Sequence, residues 1–321
     1  MRDVVDKKTW WEATSVAGPA AVQMPGGRPV LGWRGDHNSR NLSLAVIDGP
    51  PGSFPSSYLA KYGMADSSDY APALCYYKGL RLAWVGTNGA HTLNLATVDL
   101  PFGGNRVDFT QCAFVNEGDL GAGGQGAPSL ALTQAEFGEW LSITCLNGSG
   151  QLCSAITQNG ANFDSGNEVY WRPHCIEGAR GITSPSDSSV SYYAWTDANT
   201  NLLGFVRVDG ISMHTPVVSA QSSLHAPSLA LHNGTVYIAW VGTDGRAHLN
   251  VAAIDTNAID QGRDPIDQVD TLNELSSAAP ALRTLPPTEV SPEDFLPERL
   301  AIFWSGVDGA GAINAAIVYS E

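Results

Sequence analysis

The sequence predicts an all-β protein made of six copies of one four-stranded unit. Three observations lead to this prediction: one hairpin recurs along the chain, a proline-containing marker precedes each copy, and the composition favours short strands. Among 321 residues there are 34 glycines and 19 prolines, whereas only 15% of the residues are charged. That balance is typical of many strands joined by tight turns.

The best-preserved hairpin spans residues 236–255. Its turn is Gly242-Thr-Asp-Gly245, and Asp-Gly between two alternating runs is a strong hairpin signal because both residues tolerate positive φ. Apolar residues alternate with smaller ones on both sides of this turn, at Val236, Ile238, Trp240, Leu249, Val251 and Ala253. The segment is therefore predicted to form two adjacent antiparallel strands.

The same hairpin occurs at six places, and a tryptophan occupies one shared position in five of them. The copies begin at Val30, Leu82, Leu141, Tyr193, Val236 and Ile302, and the shared tryptophans are Trp33, Trp84, Trp195, Trp240 and Trp304. The third copy lacks the tryptophan. A repeated large aromatic residue predicts a wedge packed between neighbouring units.

A short marker precedes each copy, and it sets the size of the repeated unit. Its prolines are Pro19, Pro72, Pro128, Pro185, Pro227 and Pro280, separated by 53, 56, 57, 42 and 53 residues. Proline suits the first position of a strand, and four strands in about 40–57 residues is the size of a propeller blade. We predict a six-bladed β-propeller of four-stranded blades forming a single domain, 1–321. The expected blades are 16–66, 67–121, 122–180, 181–221, 222–275, and 276–321 together with 1–15.

The two ends of the sequence predict how the ring closes. The last copy has no fourth strand before Glu321, whereas residues 8–15 form a strand-like run without a blade of their own. We expect this N-terminal strand to complete the last blade, because closure leaves few exposed edges.

The charge balance excludes several classes of function. With 17 basic and 32 acidic residues, the formal net charge is −15, which disfavours nucleic acid and anionic membrane surfaces as partners. No apolar run approaches the roughly 20 residues needed to span a bilayer, so no membrane insertion is expected. Residues 1–8 lack the apolar segment of a signal peptide. We expect a cytoplasmic protein, or a secreted one whose leader was removed before Met1.

Cysteine and histidine spacing predicts no metal and no cofactor. The five cysteines contain no CxxC pair, and no His/Asp/Glu cluster has ligand spacing. Cys145 and Cys153 flank one predicted turn and are expected to face each other across it. The sequence leaves open whether they are bonded.

The turns between the second and third strands resemble the Asp-box of bacterial neuraminidase-type repeats. The residues that carry this resemblance are Thr243-Asp-Gly245, Thr87-Asn-Gly89 and Val307-Asp-Gly309. The resemblance implies that Asp244, Asn88 and Asp308 brace their turns and do not contact ligand. A sialidase is disfavoured because the first-blade Arg-Ile-Pro motif of that family is absent.

Ligand-binding residues are expected where the six copies differ, on the face formed by the inter-blade links and these turns. The candidates are Arg34, Asp36, His37, Asp69, Tyr70, His91, Gln125, Trp171, Arg180, His225, Arg246 and His248. Because the scaffold repeats but these residues do not, we expect one composite pocket or a few unequal ones.

Two functions remain open at this stage. The chain resembles lectin-like and neuraminidase-like propellers over nearly its full length, which implies a carbohydrate-binding propeller with a glycan or small-molecule partner. The alternative is a cofactor-free enzyme of the cyclising or pericyclic type, as in natural-product pathways. Such an enzyme needs one deep apolar pocket with a few hydrogen-bond donors. Several shallow sites between blades would favour the lectin; the sequence does not predict catalytic residues or an oligomeric state.

Overall fold

The computed structural model describes residues 3–25, 28–35, 39–48, 58–100, 102–103, 106–107, 113–135, 138–147, 151–157, 169–209, 212–291, 293–309 and 311–320. These residues are mostly β-strand, as predicted. In the first half of the chain the strands are β1 (Val5–Thr14), β2 (Ala20–Gln23), β3 (Pro29–Arg34), β4 (Asn41–Asp48), β5 (Tyr58–Ser67), β6 (Ala73–Tyr76), β7 (Leu80–Val85), β8 (Thr92–Asp99), β9 (Phe102–Gly103), β10 (Arg106–Val107), β11 (Ala113–Gly123), β12 (Ser129–Ala135), β13 (Gly138–Leu146) and β14 (Gln151–Thr157).

The second half continues the same pattern and adds one short helix. Its elements are β15 (Val169–Thr183), β16 (Val190–Asp197), β17 (Leu202–Asp209), β18 (Ser212–Met213), β19 (Val217–Ser222), β20 (Ser228–His232), β21 (Thr235–Val241), β22 (His248–Ile254), α1 (Thr256–Asp260), β23 (Asp270–Leu275), β24 (Ala281–Leu285), β25 (Thr288–Ser291), β26 (Asp294–Leu296), β27 (Arg299–Ser305) and β28 (Ala312–Ser320). No helix in the described ranges is long and apolar enough to cross a membrane.

The strands form five blade sheets of a β-propeller. Four sheets have four strands each, in the orders β2-β3-β4-β5, β6-β7-β8-β11, β20-β21-β22-β23 and β24-β27-β28-β1. The fifth sheet has eight strands, running from β12 to β18, with β19 also paired to β17. Two small hairpins, β9-β10 and β25-β26, lie outside the blade sheets.

The prediction of six separate four-stranded blades is corrected by the eight-stranded sheet. The sheet has eight strands because β15 pairs with β14 through Val169–His174 and with β16 through Cys175–Thr183. One continuous strand thus serves as the outer strand of one unit and the inner strand of the next. The blade boundary expected at residue 180 falls inside this strand.

The fourth proline marker is also corrected. In the register of β15 with β16, Trp195 lies opposite Ala179, whereas Ser184-Pro185 follows the end of β15. In β20 and β21, Ser228 pairs with Ala239, and the same register continued by one residue sets Pro227 opposite Trp240. Ala179 therefore occupies the place that proline holds elsewhere. The predicted marker, Pro185, therefore lies six residues beyond the true marker position at Ala179.

The ring closes as predicted, through the N-terminal strand. β1 pairs antiparallel with β28, and Trp10 lies opposite Ile313. Trp10 is 1% exposed and belongs to a cluster with Trp33 and Phe303, which come from the first and last sheets. The strand thus contributes a hydrogen-bonded ladder and a buried aromatic residue to the joint.

The five repeated tryptophans pack between units, which confirms their predicted role as wedges. Their relative exposures lie between 0% and 4%, and each shares a core cluster with residues of the preceding unit. The pairs are Trp33 with Phe303, Trp84 with Leu44, Trp195 with Leu152, Trp240 with Phe205, and Trp304 with Leu249. Cys145 lies directly opposite Cys153, as expected.

The proline-rich insertion before the last hairpin, residues 285–299, contains a hairpin of its own, β25-β26. The insertion also contacts the turn after β20, where the backbone N–H of Asn233 donates to Glu298 Oε1 at 2.6 Å. The proline- and glycine-rich stretch at residues 49–57, which lengthens the first copy in the sequence, lies outside the described residues.

Candidate functional site

The links between units and the turns between second and third strands lie on one face, which we call the link face. Each link is held between the turns of two neighbouring units. Ser68 N donates to Arg40 O of one turn, and Asp69 N donates to Val85 O beside the next. The later link at Ser223 and Leu224 repeats this arrangement with Asn201 O and Val241 O.

A serine in the links is a repeated feature that the proline marker did not reveal. The Ser68 hydroxyl donates to Tyr70 O at 2.8 Å and to Val85 O at 2.9 Å. The same local bond to the carbonyl two residues later is made by Ser15, Ser223 and Ser276. Each of these serines stands four residues before a marker proline, so the spacing Ser-x-x-x-Pro was the available signal.

The turns themselves are braced by their acidic or amide residue, as the resemblance implied. Asp244 Oδ1 accepts from the backbone N–H of Arg246 and Ala247 at 3.0 and 2.9 Å. Asn88 Oδ1 accepts from Thr92 N, and Asp308 Oδ1 accepts from Gly311 N, both at 2.9 Å. These bonds direct the side chains back into the turn.

His248 takes part in this bracing. Its ring is 6% exposed and its Nδ1 contacts Asp244 Oδ2. The hydrogen bond from His248 lowers the pKa of Asp244 to about 2. The backbone donors lower this pKa further, whereas burial acts to raise it. Arg246 is exposed beside this turn. Its backbone N–H donates to Asp244.

The first two units meet at a charged cluster, which we call the junction cluster: Arg34, Arg40, Asp69 and His91. Asp69 lies at its centre and is 19% exposed; its Oδ1 accepts from Arg40 Nη1 at 2.5 Å. Asp69 Oδ2 is 3.4 Å from His91 Nδ1. Arg40 and His91 come from the turns of two different units, and Asp69 comes from the link between them. Three of the four residues were predicted, and Arg40 was missed.

The exposed parts of this cluster are the guanidinium of Arg40 and the imidazole of His91. The Arg40 and His91 side chains are 54% and 44% exposed, so both are accessible from solvent. Arg34 lies beneath them: burial and the nearby Arg40 charge lower its pKa, while Asp69 opposes the shift. Its buried Nε has no hydrogen-bond partner among the described residues.

The left-handed backbone of His91 reflects the scaffold. His91 has φ 48°, and Asn201, Ala247 and Gly311 take the same conformation at the matching turn position. The carbonyl of each accepts a backbone N–H from the following link, at Gly124, Ser223, Ser276 and Ser15 respectively. This position is therefore shared by the repeats, and only the histidine side chain is particular to its unit.

A second polar group lies where the eight-stranded sheet meets the next sheet. Glu177 Oε1 is 3.0 Å from His225 Nδ1, and Glu177 Oε2 accepts from Ala226 N at 3.2 Å. Burial acts to raise the pKa of Glu177, but the hydrogen bond with His225 outweighs it and the pKa is lowered. Glu177 sits at a bulge of β15 with φ 57°, and a bulge re-aims the side chain that it carries. Sequence reasoning had selected His225 but not Glu177.

The central channel is the third feature of this face. It encloses about 510 Å³ not occupied by protein atoms, including its open mouth. Its wall is formed by the first residues of the inner strands, with Arg180 and Arg283 among them. Arg180 was predicted, whereas Arg283 was missed because it lies inside the strand β24. The other lining residues are glycine, alanine, proline, leucine and serine.

Tyr70 and Gln125 lie apart from these groups. Tyr70 is half-buried and packs against the core between the second and third units, and Gln125 is exposed with its N–H bonded to Leu146 O at 2.8 Å. Trp171 pairs with Leu152 through its backbone, and its side chain lies outside the description. Asp36 and His37 also lie outside the described residues.

No group of three or more His, Cys, Asp or Glu side chains in the described ranges is arranged to hold a metal ion.

Comparisons with known proteins place the chain by fold only. No protein-family model matches it, and no curated protein sequence matches it. Among solved structures, AofleA from Arthrobotrys oligospora shares 8% identity over 98% of this chain and 86% of that chain, with a TM-score of 0.62. A complex of the Aleuria aurantia lectin AAL with Fucalpha1-6GlcNAc shares 13% identity over 95% and 97%, with a TM-score of 0.54.

An enzyme has the same overall likeness as the lectin. The α-L-arabinofuranosidase arb93a from Fusarium graminearum, in complex with an iminosugar inhibitor, shares 11% identity over 94% of this chain and 92% of that chain, with a TM-score of 0.54. Together with the blade sheets, these comparisons define the chain as a β-propeller protein. At such identities they do not transfer any activity.

Proposed function

We propose that this protein is a carbohydrate-binding propeller with unequal sites between blades on its link face. The observation that carries the proposal is the junction cluster, where groups from two turns and a link converge on Asp69. A carboxylate held between a guanidinium and an imidazole offers adjacent acceptors and donors, which is what vicinal sugar hydroxyls require. The presence of a lectin among the structural neighbours is consistent with this proposal.

Unequal sites follow from the side chains that differ between units. The junction cluster has a guanidinium and an imidazole beside one carboxylate, whereas Glu177 and His225 form a single pair beside the channel. We propose the former as the principal site, since Arg40 and His91 expose about half of their side-chain surface. The other predicted residues are proposed as peripheral contacts at most.

We further infer that the ring has six repeats, two of which share the eight-stranded sheet. Support comes from Ala179, which lies opposite Trp195 in the register that Pro227 and its equivalents keep with their own tryptophans. With Ala179 as the fourth marker, the separations on either side become 51 and 48 residues. The Thr-Asp-Gly turns are proposed as Asp-box-like on their backbone hydrogen bonds.

A glycan array followed by calorimetric titration of the best ligand tests the function. We expect Asp69→Asn to weaken binding about 10-fold to 100-fold, because a hydrogen bond to a charged group contributes about 1.5–3 kcal/mol. The matched control is Asp267→Asn, which changes an exposed aspartate away from the link face. An array without ligands, or an Asp69→Asn variant that binds like the parent, would contradict the proposal.

The enzyme alternative needs a separate observation. Incubation of the array ligands with the protein, followed by mass spectrometry, distinguishes the two functions: a binding protein leaves the mass and linkage of each glycan unchanged.

A further inference from the structure

The central channel concentrates positive charge inside an acidic protein. Within the described part of the chain, its wall contains Arg180 and Arg283 and no acidic residue, although the whole chain carries a formal charge of −15. Neither arginine takes part in the junction cluster. The channel is therefore an electrostatic feature separate from the proposed glycan site.

Arg283 is fixed by neutral partners. It projects from β24, where Nη1 donates to Leu282 O at 3.0 Å and to Leu229 O of β20 at 3.2 Å, while Nε donates to Ala21 O of β2. These carbonyls satisfy donors but supply no negative charge. Burial lowers the pKa of Arg283, and the Cys75 thiol opposes that shift. The structure describes no hydrogen bond for Nη2.

Arg180 brings a second positive charge to the same channel. Its Nη1 donates to Pro128 O at 3.1 Å, and no described bond engages its Nε or Nη2. Burial lowers the pKa of Arg180 to about 10. The positive charge of Arg283 also lowers this pKa, whereas the Glu177 carboxylate acts to raise it. Glu177 is the acidic group near it, and its oxygens are bonded to His225 and Ala226.

Two guanidinium groups in one partly dehydrated channel repel each other and lack a full counter-charge. Uncompensated buried charge is strongly unfavourable unless an opposite charge pairs with it. Guanidinium forks also match planar carboxylates and bind halides through spare N–H groups. We propose that the central channel binds a small anion between Arg180 and Arg283, either an inorganic ion or the carboxylate of an acidic ligand.

Thermal melting of the full chain in different sodium salts tests this site. Bromide, chloride, acetate and glucuronate are compared at equal concentration, with glucose as the neutral match for glucuronate. An anion present at ten times its dissociation constant should raise the Tm by about 2 °C in a chain of this length. Arg180→Gln should lose this dependence. Arg207→Gln should keep it, because Arg207 is a surface cation paired with Asp209 and Asp260.

A bromide-soaked crystal supplies an independent readout of position. An anomalous peak between the two guanidiniums supports the proposal even if Arg180→Gln does not fold. Stabilisation by chloride and bromide alone identifies an inorganic ion, and stronger stabilisation by glucuronate than by acetate or glucose identifies an acidic sugar. Equal salt dependence in the parent and Arg180→Gln, without a bromide peak in the channel, would overturn the site. Loss of glycan binding in Asp69→Asn has no bearing on this result.

Discussion

The joint between the first and last units makes the sharpest prediction about stability. Trp10 and Trp11 are neighbours in β1, yet Trp10 is 1% exposed and Trp11 is 66% exposed. Trp10→Ala removes a buried aromatic ring that packs with Trp33 and Phe303 in the joint. Such truncations cost about 3–5 kcal/mol. With an unfolding entropy of about 0.7 kcal/mol/K for this length, the Tm should fall by about 4–7 °C.

The assay is differential scanning calorimetry combined with near-ultraviolet circular dichroism. Because β1 closes the ring, both signals should shift together as one transition. Trp11→Ala serves as the matched control, and its Tm should stay within about 1 °C of the parent. The reasoning would be refuted if Trp10→Ala melted like the parent, if it only added a small early transition, or if Trp11→Ala were equally destabilising.

Two further predictions concern the turns and the wedges. Asp244 has its pKa lowered to about 2 by His248, so its stabilising effect is present above about pH 4 and is lost as the pH falls toward 2. Urea unfolding should therefore show a smaller acid-induced loss in Asp244→Asn than in the parent, by about 1 kcal/mol or less because the carboxylate is 42% exposed. Gly204→Ala would place a methyl group against the buried Trp195 ring and should cost about 1–3 kcal/mol. Gly63→Ala, with no atom within 4 Å of the added carbon, should be nearly neutral in the same titration; equal effects at the two sites would contradict the wedge packing.

Part of the candidate site was predictable from the sequence. Asp69 and His91 stand out because their positions carry different residues in other copies, and the structure brings them within 3.4 Å. Arg40 and Glu177 were missed because their relevance depends on which neighbouring unit they face. Arg283 left a weak signal, a charged residue in the strand Ala281-Leu-Arg-Thr-Leu285, but its exposure to the channel depends on the closed ring.

By itself the sequence determined the hairpins, the aromatic wedges and the closing strand, because these follow from local alternation, turn chemistry and a repeated spacing. The tertiary structure decided how repeats three and four are joined. A strand of 15 residues changes partners at the bulge of Glu177 and Gly178, and hydrogen bonding at such a point depends on both neighbours. The tertiary structure alone placed two arginines in one channel, because residues 180 and 283 meet only when strands distant in sequence surround a common axis.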